Sequence, residues 1–341
     1  MKCLQRSFTE KNPENSRNKR FLIICVLFLL ISLLLSLCIG AVWIRPTELL
    51  SFLWDADSMG GRIFWHVRVP RTLAALLAGS ALAVAGVILQ SILNNPLAGP
   101  NIIGINSGAG LGAVLTFAFL PGLPHLVPFT AFMGALATVL LVYGISQKIR
   151  ASHMTLILTG VAINASFGAA IDAVIMLAPD IIVSNTEFSN GGLTGVTLAG
   201  LSPAWIIIIL CLATACILYQ ELNVLNLGEE TARSLGMKVS GRRFLFLVLA
   251  AALAGCAISI AGLLGFVGLM VPHMIRSVTG NDAAWLLPTS AIAGGGFLVL
   301  CDLLSRSLFS PYEIPVGILL AALGGPFFLW LLAGRYRHVS L

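Results

Sequence analysis

Apolar runs of about 20 residues, the length a helix needs to cross a bilayer, alternate with short polar breaks along the whole chain. The first run, 21–44, follows a polar, basic stretch at 1–20 that carries Lys2, Arg6, Lys11, Arg17, Lys19 and Arg20. A secretory signal peptide would have an apolar core of only about 7–15 residues, so this run predicts an uncleaved first crossing. Further crossings are predicted over about 72–93, 101–120, 126–147, 154–178, 203–220, 244–262, 263–279, 283–304 and 313–333. The breaks have their own character. Residues 94–100 hold Pro96 and Pro100 and cannot be regular helix; 180–200 is polar and holds Gly191-Gly192. The run 263–279 contains Gly265, Gly268 and Pro272 yet is too apolar to be exposed, and predicts a broken span ending near Arg276.

Composition turns this pattern into a class. The chain has 341 residues, 58% hydrophobic and only 10% charged, with mean hydropathy +0.97; a soluble domain carries roughly 25% charged residues. The prediction is an all-α, polytopic membrane protein of about ten transmembrane helices, a single domain over 21–335 with tails at 1–20 and 336–341. The net charge of +6 reads as topology rather than as a nucleic-acid surface. Of the 20 Lys and Arg, this path puts five outside (Arg45, Arg62, Arg68, Arg71, Arg306) and the rest inside, which places both termini in the cytoplasm. The seven cysteines form no C-x-x-C pair, and six lie in or beside apolar runs, as small hydrophobes do.

The longest cytoplasmic stretch between spans is 221–242. Within it Gly228 opens a short helix, Glu229 and Glu230 sit at its positive end, Arg233 lies four residues after Glu229, and Gly236 stops it. Leu227, Ala232 and Leu235 give that helix an apolar face, as for a soluble partner; a solvated loop is the alternative. Residues 78–86 also match 254–262 at an offset of 176, which Pro96 and Pro272 share. The predicted path runs the two copies in opposite directions, as in the inverted repeats of transporters.

Five motifs in one order carry a resemblance over about 60–335. They are Arg68-Val69-Pro70-Arg71-Thr72-Leu73, Asn95-Pro96-Leu97-Ala98 with Pro100, Leu225 to Gly236 with Leu227, Gly228, Glu229, Ala232 and Leu235, Gly265-Phe266-Val267-Gly268 with Pro272-His273, and Glu313-Ile314-Pro315 with Gly317. Together they resemble the FecCD-type permeases, membrane subunits of ABC importers for iron-siderophores, haem and vitamin B12. The resemblance implies ten helices, a second permease subunit (identical or paralogous), two ATPase subunits, an external substrate-binding protein and a multi-pass place in the bacterial cytoplasmic membrane. Glu230 to Gly236 is also similar to the loop by which bacterial ABC importers dock their ATPases. Leu227, Gly228, Glu229, Glu230, Ala232, Arg233, Leu235 and Gly236 are then the coupling residues.

By the same resemblance Arg68, Arg71 and Arg306 grip acidic residues of the binding protein; headgroup snorkelling is the alternative. Asn95, Pro96 and Leu97, with His153 and Met154, form the cytoplasmic gate, although His153 and Met154 stand where a vitamin B12 permease has small hydroxyl residues. Asp172, inside the fifth run, lines the pathway or bonds to a neighbouring helix. Asp302 and Glu313 suit ion pairing with Arg306, and His273 reads as structural, without the company a metal site needs.

No G-x-x-x-x-G-K-[ST] motif and no nucleophile–base pair occurs in the sequence. The chain is expected to be no enzyme and to bind no cofactor or metal itself, with ATP and magnesium on the partner ATPases. The expected cargo is an iron-siderophore complex, with vitamin B12 or haem as alternatives. An ion-coupled secondary transporter is the rival class; it would need paired acids in the membrane.

Overall fold

The computed structural model describes residues 13–40, 43–52, 54–148, 153–309 and 311–339. Lys2, Arg6, Lys11, the turn residue Ser152 and the last two residues lie outside these. Every regular element among the described residues is helical: α1 (Pro13–Cys38), α2 (Glu48–Ser51), α3 (Met59–Ile63), a π turn (Phe64–Arg68), α4 (Val69–Ile92), α5 (Ile105–Phe119), α6 (Val127–Lys148), α7 (His153–Leu177), α8 (Ile182–Asn190), α9 (Ala204–Ile217), α10 (Tyr219–Asn226), α11 (Glu229–Ser234), α12 (Val239–Ala261), α13 (Val267–Thr279), α14 (Ala283–Ser307) and α15 (Val316–Val339).

Each of the ten apolar runs is occupied by a helix, but not all ten helices are long. Six spans are long and apolar enough to cross a membrane, or seven if α9 and α10, bent by 62°, count as one. α5 has 15 residues and α13 has 13. At 1.5 Å per residue they reach only about 20–22 Å, against a hydrocarbon core of about 30 Å.

Helix α4 is the centre of the bundle. Nearly all of its residues are buried, and it packs on α12, α13 and α14. Its sequence of alanine and glycine explains how so many helices fit round it. A methyl at Gly79 would overlap the carbonyl oxygen of Gly294, and one at Gly86 that of Gly268, so these helices meet backbone to backbone. The matching segments 78–86 and 254–262 therefore lie on two helices, α4 and α12, that pack on each other in the core. By contrast α7 is mostly uncovered, and α1 shows a similar apolar outer face (Ile23, Ile24, Leu27, Leu30). Such belts suit lipid or a second permease.

The structure corrects the expected path in three places. The second span begins at Met59, not after Arg71, and runs without interruption to Ile92. Arg68 and Arg71 are therefore inside a helix rather than on its outer lip. The break in 263–279 is confined to the turn before α13, where Gly262 and even Phe266 adopt positive φ (68° and 67°). Pro272 sits inside α13 without ending it. A helical proline lacks an N–H and frees the carbonyl four residues earlier, here Gly268, and the side chain of Gln90 donates to that oxygen (Nε2–O 3.3 Å). Finally, the expected short helix in 221–242 is present as α11, but the stretch also holds most of α10 and the start of α12, so the flanking helices reach further into it than expected.

Hydrogen bonds fix which elements share an end of the bundle. Asn18 of α1 bonds Thr279 O of α13, and Asn223 of α10 bonds Asp282 ahead of α14. At the opposite end, Ser36 and Leu37 of α1 meet Arg306 of α14 and Arg68. The ends are called below the α11 end and the arginine end.

Candidate transport pathway and coupling site

At the α11 end, glycines bound a six-residue helix. Gly228 has φ 98°, ψ 160°, outside the range of other residues, and Gly236 has φ 82° in the left-handed region of a helix stop. Glu229 forms the expected pair with Arg233, and its other oxygen takes Arg243 of α12 (2.9 Å). Arg243 is buried, so Glu229 clamps α11 to the bundle as well as pairing along it. The expected apolar face divides in two. Ala232 is fully buried against the chain itself, whereas Leu227 and Leu235 are 61% and 63% exposed, with Glu230 exposed beside them. Ala232 thus holds α11 down, while both leucines face outward together with Glu230, Thr231, Arg233 and Ser234.

Next to α11 lies a cavity of about 550 Å³. Its wall brings together Asn94, Asn95 and Pro96 after α4, Asn226 and Leu227 before α11, and His273 and Arg276 of α13. Asn95 and Pro96 of the expected gate thus line the same cavity as Leu227 of the expected coupling stretch. Asn95 shapes its own turn: its Oδ1 accepts the N–H of Leu97 (2.9 Å), and Asn94 stands at φ 47°. Met154 is exposed and lines none of this cavity. His153 opens α7, but its side chain lies outside the described residues; of the described members of the expected gate, Asn95 and Pro96 line the cavity and Leu97 and Met154 do not. The His273 ring also packs edge-on against Phe327 (centroids 6.3 Å).

A second cavity, of about 520 Å³, has a mostly apolar, uncharged wall into which are set Asn101 ahead of α5, Asn106 and Ser107 at its start, Asn164 of α7, and Ser189 and Asn190 at the end of α8. Leu263, Gly265 and Phe266 of the broken turn close one side. Phe266 is held over Gly324, where any side chain would collide with its ring. The buried Oδ1 of Asn106 has no hydrogen-bond partner among the described residues. Asp172, expected on the pathway, is exposed on α7 and lines neither cavity; Asn164 and Ile171 of the same helix line the second one. The signal for Asn164 was an amide inside an apolar run, which Asp172 overshadowed because a charge is the more conspicuous exception.

The arginine end shows the largest departure. Arg68, Arg71 and Arg306 do gather, but at 3–8% exposure they are buried within the chain. Arg71 donates from Nε to both oxygens of Asp302 (3.0 Å each) and from a terminal nitrogen to Glu313 (2.8 Å). Arg306 lies 3.8 Å from Asp302 and donates to Ser36 O (2.6 Å) and Ser36 Oγ (2.9 Å). Arg68 donates to Leu37 O. Asp302 is wholly buried, and its main partner is Arg71 rather than Arg306. The sequence suggested exposed rim charges; the structure shows a knot tying α1, α4 and α14 to the segment before α15. Among the described residues no group of three or more His, Cys, Asp or Glu could hold a metal ion.

A comparison with known protein families matches the FecCD transport family over residues 28–334. The chain belongs to the FecCD family. Among FecCD relatives, the Fe(3+)-citrate import system permease protein YfmE of Bacillus subtilis is 36% identical over 93% of this chain and 95% of its own length. The hemin transport system permease protein HmuU of Yersinia pestis is 39% identical over 92% and 96%. A metal-chelate type ABC transporter solved in an inward-facing conformation matches with TM-score 0.82 at 31% identity, covering 93% of this chain and 99% of that one. This FecCD chain is accordingly an ABC transporter permease of the bacterial cytoplasmic membrane. Its cavities, α11 and the arginine knot all fall within the matched residues.

Proposed function

We propose that the chain is the translocating subunit of an ABC importer for an iron chelate, delivered by an external binding protein and driven by ATP hydrolysis on two partner subunits. In this reading it crosses the membrane ten times with both ends and α11 in the cytoplasm, and it pairs with a second permease, identical or paralogous. The relatives named for ferric citrate and hemin support the cargo class. The uncharged cavity, with the amides of Asn101, Asn106 and Asn164 set in a mostly apolar wall, suits a chelate that must pass without being held. The binding protein seats at the arginine end. There Arg68, Arg71 and Arg306 act from beneath the surface by holding the helix ends in place, and Glu313, 45% exposed in its side chain, is the member of the knot that reaches solvent.

The observation that carries the proposal is α11. A six-residue helix has no stability of its own, yet this one is fixed by two glycine bounds, by Ala232 and by the Glu229–Arg243 clamp, and it presents Leu227 and Leu235 outward. Burying a leucine contributes about 1.5–3 kcal/mol, so two of them can dominate a docking surface. The test is the pair Leu227→Asp and Leu235→Asp, which leave the buried side of α11 untouched. Each should remain at normal abundance in the membrane, lose most co-purifying ATPase and lose ATP-driven uptake. Full ATPase recovery with normal uptake in both would refute docking through α11.

A further inference from the structure

The cavity beside α11 contains more chemistry than a gate requires. Arg276, in the last turn of α13, lines it half-buried, and its Nε has no hydrogen-bond partner among the described residues. It is in none of the ion pairs found among them, and no Asp or Glu among the described residues lines the cavity. A half-buried guanidinium without a counter-charge is costly unless something anionic visits it. Gln90 gives a second, independent sign. It is 2% exposed and lines the same cavity; its Nε2 is committed to the Gly268 carbonyl that Pro272 leaves free, so its Oε1 is oriented by that bond and has no partner. The site therefore offers a planar cationic group, with the amides of Asn95 and Asn281 beside it and a buried, unpartnered amide oxygen of Gln90 in the same wall.

We propose that this cavity is a low-affinity exit station for an anionic, oxygen-rich chelate. Arg276 binds its carboxylate or other anionic oxygens, and the amides of Asn95 and Asn281 meet its remaining polar atoms. The proposal rests on the permease reading and deepens it. A guanidinium matches paired anionic oxygens in a way that an ammonium does not. A single such donor set, open to water, attracts the chelate without trapping it. Position adds a reason for the station to exist. The lining includes Asn226 and Leu227, directly ahead of α11, together with Asn95 and Pro96 after α4. A shift of α11 moves one part of the lining against the other, so the last site the chelate occupies is the one the ATPase can reshape.

The experiment uses the full complex with its ATPase and binding protein in phosphatidylcholine nanodiscs, with Ser277→Cys as a reporter on the cavity wall and the parent chain as background. The rate of maleimide labelling is measured with millimolar ferric citrate, with cyanocobalamin as a probe lacking free carboxylates, and with sulfate at equal ionic strength. Ferric citrate should slow labelling about fivefold, and the other two little. The protection should vanish with Arg276→Gln and be partly kept with Arg276→Lys. Protection that survives Arg276→Gln, or that sulfate or cyanocobalamin matches, overturns the station. So does labelling already blocked without chelate when phosphatidylglycerol is added, which would mean a lipid phosphate fills the site. Uptake of radiolabelled iron and other chelates in proteoliposomes separates the two levels. Uptake without protection removes the station and keeps the permease; protection without ATP-driven uptake of any chelate removes the permease reading and keeps the site.

Discussion

Asp302→Asn is the sharpest probe of the arginine knot, because it removes one charge and almost no volume. In the structure both Asp302 oxygens accept from Arg71 Nε at 3.0 Å, Arg306 Nε stands 3.8 Å away, and the carboxylate has no exposed surface. Removing one partner of a buried ion pair typically costs about 3–5 kcal/mol, since the remaining charge is left uncompensated. Here Glu313 still faces Arg71 at 2.8 Å and takes part of that charge, so the cost falls at or below the bottom of that range, about 2–3 kcal/mol. That corresponds to a roughly 30- to 150-fold fall in the folded-to-unfolded ratio. Glu313→Gln is the internal control. Its side chain is 45% exposed, and a pair so open to water contributes about 0–1 kcal/mol. The assay is denaturant unfolding of the purified permease in mild detergent, followed by tryptophan fluorescence, with Arg71→Met added to Asp302→Asn to close a double-mutant cycle. The cycle should show that the second change costs far less once the first is made. An Asp302→Asn protein within about 0.5 kcal/mol of the parent, or a Glu313→Gln protein at least as unstable as it, would refute the burial argument and restore these arginines to the surface role suggested by the sequence. The ranking matters more than the absolute values, because both variants are read against the same unfolded state.

Two further expectations follow from the fold. Gly86→Val should prevent a monodisperse folded permease, since even a methyl there collides with the Gly268 backbone, whereas Gly144→Val, with nothing within 4 Å of its added carbon, should purify normally on size exclusion; equal yields would mean that α4 and α13 can move apart. Reporter fusions after Asp55, Asn190 and Leu308 should read external, and after Ala232 and His338 cytoplasmic; an external carboxy terminus would break the ten-crossing path, with α13 as the segment to re-examine.

The sequence alone determined what depends on neighbours along the chain. Runs of apolar residues set where helices lie, because the bilayer requires every backbone group to be paired within the segment. Gly228 and Gly236 set the ends of α11, because a positive φ is a local demand. The i,i+4 pairing of Glu229 with Arg233 needed only helical spacing. The five ordered motifs were enough to place the chain in its family. What the tertiary structure decided are matters of distance in space. Arg71 is buried because an acid 231 residues away lies beside it, and nothing local marks it apart from an exposed arginine at a helix start. Pro272 sits inside α13 while Gln90, 178 positions before Gly268, supplies a donor to the Gly268 carbonyl that the proline leaves free. Ala232 turns inward and its neighbouring leucines outward because Arg243 of another helix fixes the roll of α11. The amide-lined cavity has members on three helices, each an unremarkable asparagine in its own run; only packing brings them to one wall. Helices form from local hydrogen bonds and local burial, but which face of each is covered is fixed by partners far along the chain, and that face is where the transport chemistry lies.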